Sequence, residues 1–110
     1  MKRTQVSTPD EDALWNELLR WQTHTFHTAK GLAFTYSIRG SEMFVSRKDK
    51  SITRATVNMA YRKALELQKD GGYVTGPKKL GTFGASYLYP VFVQIGVVLP
   101  IPERMEGEST

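Results

Sequence analysis

The sequence predicts an α+β fold: an N-terminal helix, a two-stranded antiparallel hairpin, a long central helix and a C-terminal helical or mixed segment. Three patterns carry that prediction. An apolar stripe at helical spacing follows Pro9, an alternating run doubles back at Gly40-Ser41, and a second helical stripe lies between Ser51 and the glycine pair Gly71-Gly72. The chain has 110 residues, 40% of them hydrophobic and 24% charged, which suits one compact domain, 1–110, with residues 1–8 and 102–110 as tails.

The first helix starts at Thr8-Pro9-Asp10-Glu11: Thr8 is placed to cap, Pro9 suits the first helical position, and Glu11 falls where a capping-box carboxylate reaches back. Leu14, Leu18 and Trp21, with Trp15, Leu19, Gln22 and Phe26 beside them, carry the stripe to about Thr28, and Gly31 is a natural stop. The hairpin follows. Leu32, Phe34, Tyr36 and Ile38 alternate with Ala33, Thr35 and Ser37, and Met43 to Arg47 return beyond Gly40-Ser41. Setting Arg39 opposite Glu42 pairs Ile38 with Met43, Ser37 with Phe44, Tyr36 with Val45 and Thr35 with Ser46. One face is then apolar and the other polar, with Phe44 the exception. A hairpin is marginal alone, so it must pack on a helix or pair with another chain.

Ser51 is the expected cap of the central helix, whose buried stripe is Val57, Ala60, Tyr61, Ala64 and Leu65 and which ends near Lys69-Asp70. Arg54, Asn58 and Arg62 share another face at four-residue steps. Gly72, Gly76, Pro77 and Gly81 mark turns around a short extended piece at Tyr73-Val74. The segment 83–98 suits a strand by composition. The helix reading is favoured, with Ser86 as cap, Pro90 as kink and Ile95-Gly96 as helix end.

Composition narrows the chemistry. Without cysteine there is no disulfide, thiolate catalysis, Cys-ligated zinc or Fe–S cluster. The start is not a secretory signal, and the apolar stretch from Val91 to Ile101 is interrupted and far short of the ~20 residues a membrane helix needs. A cytoplasmic protein without a membrane partner is expected. His24 and His27, three apart on the expected first helix with Glu17 nearby, make a poor metal site, and no Ser/His/acid spacing constrains a nucleophile and base. No catalytic residue, metal or cofactor is assigned.

The charge is local. The net charge is +4, but residues 39–79 hold ten Lys and Arg against four Asp and Glu, a net of +6. Arg47, Lys48, Lys50 and Arg54 crowd the start of the central helix, where the dipole disfavours cations and only Asp49 offsets them. Cations beside unpaired helical N–H groups are what a phosphate requires. The segment Gly76-Pro77-Lys78-Lys79-Leu80-Gly81-Thr82-Phe83-Gly84 combines flexible backbone with two lysines but is not a Walker A loop, since no Lys-Ser or Lys-Thr follows the spaced glycine. Phe83, Tyr87 and Tyr89 could stack on bases, although aromatics this dense are usually core.

From Ser51 to Val74 the chain resembles the recognition helix and following strand of winged-helix DNA-binding proteins of the GntR type, through Ser51, Arg54, Thr56-Val57, Ala60-Tyr61 and the Gly72-Tyr73-Val74 exit. A winged helix has a helix just upstream, where this chain has the hairpin. The resemblance implies that Thr53, Arg54 and Asn58 face base edges while Arg47, Lys48 and Lys50 contact phosphates. The leading expectation is a non-enzymatic nucleic-acid-binding protein, possible DNA-binding regulation included, with Arg47, Lys48, Lys50, Ser51, Thr53, Arg54, Asn58, Arg62, Lys78 and Lys79 as contacts. Two alternatives stand beside it. One is a protein-interaction or homo-oligomerisation module built on the hairpin edges, Phe44, Trp15 and the apolar C-terminal run. The other is a small enzyme holding a phosphorylated ligand at the Gly76–Gly84 loop.

Overall fold

The structure is a computed structural model and describes residues 10–99. Its elements are α1 (Glu11–Arg20), β1 (Phe26–His27), β2 (Ala33–Phe34), β3 (Tyr36–Arg39), β4 (Glu42–Val45), β5 (Ile52–Thr53), α2 (Arg54–Gln68) and α3 (Ala85–Ile95), with 3-10 turns at Lys69–Gly71 and Pro77–Leu80. The α+β class and the order of helix, hairpin, central helix and C-terminal helix are as predicted. The expected tails and the Thr8 cap lie outside the described residues.

Asp10 caps α1, its carboxylate accepting the Ala13 N–H at 2.9 Å, and Glu11 and Asp12 place negative charge in the first turn, where the dipole favours it. Leu14, Trp15 and Leu18 are buried. The helix stops at Arg20 instead of continuing to Thr28. Trp21 N–H closes on the Glu17 and Leu18 carbonyls, and Thr23 turns the chain at φ +70°. The reason lies outside the helix: Phe26 belongs to β1, stacked on Phe34 and Tyr36 at centroid distances of 5.8 and 5.7 Å. Gly31 is not a helix stop either; it sits at φ +84° in the β1–β2 turn, a conformation glycine adopts without steric cost.

The hairpin register is the predicted one, with Arg39 opposite Glu42, Ile38 opposite Met43, Ser37 opposite Phe44 and Tyr36 opposite Val45. Thr35 and Ser46 extend it, the Ser46 N–H bonding the Thr35 carbonyl at 2.9 Å. Phe44, out of place on the polar side, lies beneath the Arg39 guanidinium, 4.3 Å from its ring centroid. A third strand was not predicted. β5 pairs with β4, setting Thr53 opposite Glu42 and Ile52 opposite Met43, so the order is β3-β4-β5. The outer edge of β3 is also occupied: Ile38 N–H donates to Gln22 Oε1 at 2.7 Å and the Tyr36 carbonyl accepts Thr23 N–H at 3.2 Å. Trp15 is buried and Phe44 is covered by Arg39, so these two features of the interaction-module reading are engaged within the chain, whereas Val93 and Leu99 of the apolar C-terminal run are exposed.

Thr53, not Ser51, caps α2, accepting the Thr56 N–H at 3.2 Å; Ser51 instead donates to Glu42 Oε1 at 2.6 Å. Val57, Ala60 and Ala64 are buried and Tyr61 and Leu65 half-buried. Tyr73-Val74 joins no strand, although Val74 is buried. Residues 83–98 are mostly helix, with Gly84 rather than Ser86 at the N-cap and Gly96 at the C-cap. Pro90 lies inside α3 and supplies no N–H, leaving the Ser86 carbonyl without its partner one turn on.

One apolar cluster joins these elements: Leu18 of α1, Met43 and Ile52 of the sheet, Val57 and Ala60 of α2, Leu80, and Leu88 and Phe92 of α3. Gln68 fastens the end. Its amide donates to the Val97 carbonyl at 2.9 Å and accepts Leu99 N–H at 2.8 Å, holding the chain after α3 against α2. The buried Tyr36 hydroxyl donates to the Leu18 carbonyl at 2.6 Å; burial first, and the nearby Glu17 second, hold its pKa well above the usual phenol value. No helix among the described residues is long and apolar enough to cross a membrane.

Candidate functional site

The structure divides the basic residues into two groups. At α2 the arginines are engaged. Arg54 Nη2 donates to Asp12 Oδ1 at 2.7 Å while its guanidinium lies 5.1 Å from the Trp15 ring, and Arg62 pairs with Glu11. The acidic first turn of α1 thus faces the arginine face of α2, and Asn58 sits between the two arginines with its Oδ1 buried and unpartnered. Thr53 is committed to capping, Ser51 to Glu42, and Arg47 Nε to the Ala33 carbonyl at 2.8 Å. Lys50 and Lys79 are exposed.

The second group surrounds a cleft of about 620 Å³ at the start of α3. Three pieces of chain, remote in sequence, build it. The β1–β2 turn contributes Thr28, Lys30 and Leu32 and is held by Thr28 N–H bonding the Leu32 carbonyl at 2.9 Å and Leu32 N–H returning to Thr28 Oγ1 at 3.1 Å. The turn after β4 contributes Lys48, whose N–H bonds the Val45 carbonyl at 3.0 Å. The Gly-rich segment contributes Pro77, Lys78 and Thr82 before Ala85, Ser86 and Tyr87 of α3.

Lysine is the only charged residue type in the lining, and none of Lys30, Lys48 and Lys78 has an ion-pair partner among the described residues. Lys48 Nζ rests 4.2 Å from the Phe83 ring centroid and 6.0 Å from that of Tyr87, an aromatic seat that leaves its charge unneutralised. Tyr87 is fixed edge-on against Phe34, centroids 5.0 Å apart. Phe83 is 46% exposed beside the cleft.

Backbone polarity reinforces the charge. Gly84, at φ +77°, offers no side chain to cap α3, and no Asp or Glu lies in the first turn. The Ala85 N–H reaches the Thr82 carbonyl at 3.2 Å and the Tyr87 N–H the Gly84 carbonyl at 2.9 Å, so the Ser86 N–H alone, with the positive end of the dipole, is left to this side of the molecule. Thr82, in the cleft wall, has its hydroxyl oxygen buried without a partner. The glycine is structural as well: a methyl group at Gly84 would collide with Ile52 Cδ1, so the close approach of α3 to β5 requires its absence.

Of the predicted contact residues, then, Lys48 and Lys78 converge, and Arg54, Asn58 and Arg62 sit elsewhere against α1. Lys30 and Thr28 went unpredicted, since nothing in their own sequence neighbourhood distinguishes them. The histidines separate: His24 lies tilted against Trp21 in the loop after α1, ring centroids 4.7 Å apart, and His27 lies in β1 beside a smaller depression of about 360 Å³. Among the described residues no three His, Asp or Glu side chains are grouped to hold a metal. No protein-family model, curated protein or solved structure matches the chain.

Proposed function

We propose that this protein binds nucleic acid in single-stranded form, holding phosphates in the lysine-lined cleft and stacking an unpaired base on Phe83. The observation that carries the reading is the meeting of Lys30, Lys48 and Lys78 around a cleft that no carboxylate lines among the described residues. Polyanion affinity rests on cations that are free to exchange small counterions for phosphates, and arginines already paired with Asp12 and Glu11 would have to break those contacts first. An exposed aromatic beside a lysine provides the sequence-tolerant stacking that single strands use and duplexes do not. This moves the contact surface from the α2 face, where a winged-helix reading puts it, to the start of α3.

The test is fluorescence anisotropy with a labelled single strand across a salt series. Three phosphate contacts on a single strand give a log–log salt slope of about −2, a loss of roughly fifteen-fold in affinity between 50 and 200 mM salt. Lys48→Gln and Lys78→Gln should each lower the magnitude of that slope by about 0.7, and Phe83→Ala should weaken binding without changing it. Arg54→Gln should bind like the parent. An equal loss from Arg54→Gln and Lys48→Gln, or no binding at 50 mM salt, rejects the cleft.

A further inference from the structure

We infer that the cleft is a receptor for a phosphomonoester, the terminal phosphate of a strand, and not merely a stretch of basic surface for internal phosphodiesters. The inference rests on the proposed nucleic-acid reading for its carrier but on the cleft alone for its chemistry. An internal phosphodiester has one negative charge and two free oxygens. A phosphomonoester carries about −1.5 to −2 at neutral pH and three strong acceptor oxygens. The cleft matches the second. Three lysines line it with no carboxylate among the described lining residues, so an occupant with a single charge would leave the local excess of positive charge largely uncompensated.

The other donors suit several acceptor oxygens. The first turn of α3 is uncapped over an eleven-residue helix, and the Ser86 N–H has no backbone acceptor among the described residues. Thr28 and Ser86 line the same space, Thr28 Oγ1 already accepting the Leu32 N–H and keeping its own proton to donate, while the Thr82 hydroxyl oxygen lies buried behind the wall without a partner among the described residues. The frame is set without a ligand. Gly84 is pinned at Ile52 and Tyr87 is seated on Phe34, so the backbone frame at the start of α3 is in place and rearrangement on binding falls to side chains.

The experiment compares one labelled oligonucleotide with a 5′-hydroxyl, a 5′-phosphate or a 3′-phosphate, titrated against the full chain at constant salt. Inorganic phosphate and a nucleoside monophosphate are titrated separately. One phosphorylated end should bind at least ten-fold more tightly than the hydroxyl end. The advantage should vanish in Lys30→Gln/Lys48→Gln/Lys78→Gln and shrink in Thr82→Val and Ser86→Ala, with circular dichroism and melting temperature reporting that each variant is folded. Equal affinity for all three ends, with the lysine-dependent salt slope retained, overturns the inference and leaves strand binding standing. Binding of the monophosphate or inorganic phosphate without any oligonucleotide supports the phosphomonoester site and overturns the strand as its carrier. No binding of any probe overturns both.

Discussion

The starts of α2 and α3 look alike as chemistry and differ as structure. Both have lysine or arginine close by and no acidic residue in the first turn. At α2, however, Thr53 caps the helix and carboxylates from α1 meet Arg54 and Arg62. At α3 the cap is a glycine without a side chain, and the nearby lysines meet aromatic rings and solvent. A basic helix start is therefore informative only after the rest of the fold has supplied or withheld counter-charge. Glu11 and Asp12 sit at the positive end of their own helix and against the arginines of another, so one acidic pair serves two elements. Among the described residues no carboxylate forms an ion pair with Lys30, Lys48 or Lys78.

The comparison breaks most easily at Gly84. Replacing it with Ala puts a side chain at φ +77° and against Ile52, and combined strain and overpacking should destabilise the fold by about 2–4 kcal/mol. In a chain of this size that lowers the melting temperature by about 8 °C or more, at roughly 4–8 °C per kcal/mol; a melting temperature within 2 °C of the parent would show that α3 starts elsewhere. Next comes the α2 cap. Thr53→Ala should cost about 1 kcal/mol in urea unfolding, whereas Ser86→Ala at α3 should cost only a few tenths, because Ser86 caps nothing. Equal costs would erase the difference between the two helix starts.

Smaller still is the Arg54–Asp12 pair. A double-mutant cycle should give a coupling of about 0.3–1 kcal/mol, limited by the exposure of Asp12 and reduced at high salt. The same cycle on Lys48 and Asp49 should give none, since no ion pair joins them. The smallest effect sharpens the contrast from the other side. Removing the three cleft lysines by Gln substitution should change stability by about 0.5 kcal/mol or less, so any loss of binding in that variant reports on the site and not on the fold. Tyr36 adds a pH signature. Because its folded pKa is raised, its contribution to stability is complete below the unfolded pKa, about 10, and declines as the pH rises above that value, which Tyr36→Phe would abolish.

Much of the architecture was legible. The β3–β4 register follows from strict alternation around a two-residue turn, because a slip by one residue would turn Tyr36, Met43 and Val45 outward. The buried stripe of α2 and the Gly96 terminus of α3 are equally local. The end of α1 was not legible, since Trp21 and Phe26 continue a helical stripe and an aromatic ring packs equally well from helix or strand; the contacts with Phe34 and Tyr36 decide. Nor was β5 legible, being two residues long and defined only by its partner. In the candidate site Lys48 and Lys78 stood out as part of a basic run. Lys30 did not, and the engagement of Arg54 and Arg62 was invisible because their carboxylates lie more than forty residues earlier in the chain.

The amino-acid order alone determined which segments become helix or strand over most of the chain, the hairpin pairing, and the concentration of positive charge between residues 39 and 79. Those properties depend on neighbours a few residues apart, where periodicity, capping and turn chemistry act. Tertiary packing alone decided which cations are neutralised and which remain available, because Coulomb interactions depend on distance in space, and only the folded chain brings Asp12 to Arg54 and Lys30 to the cleft it shares with Lys48 and Lys78.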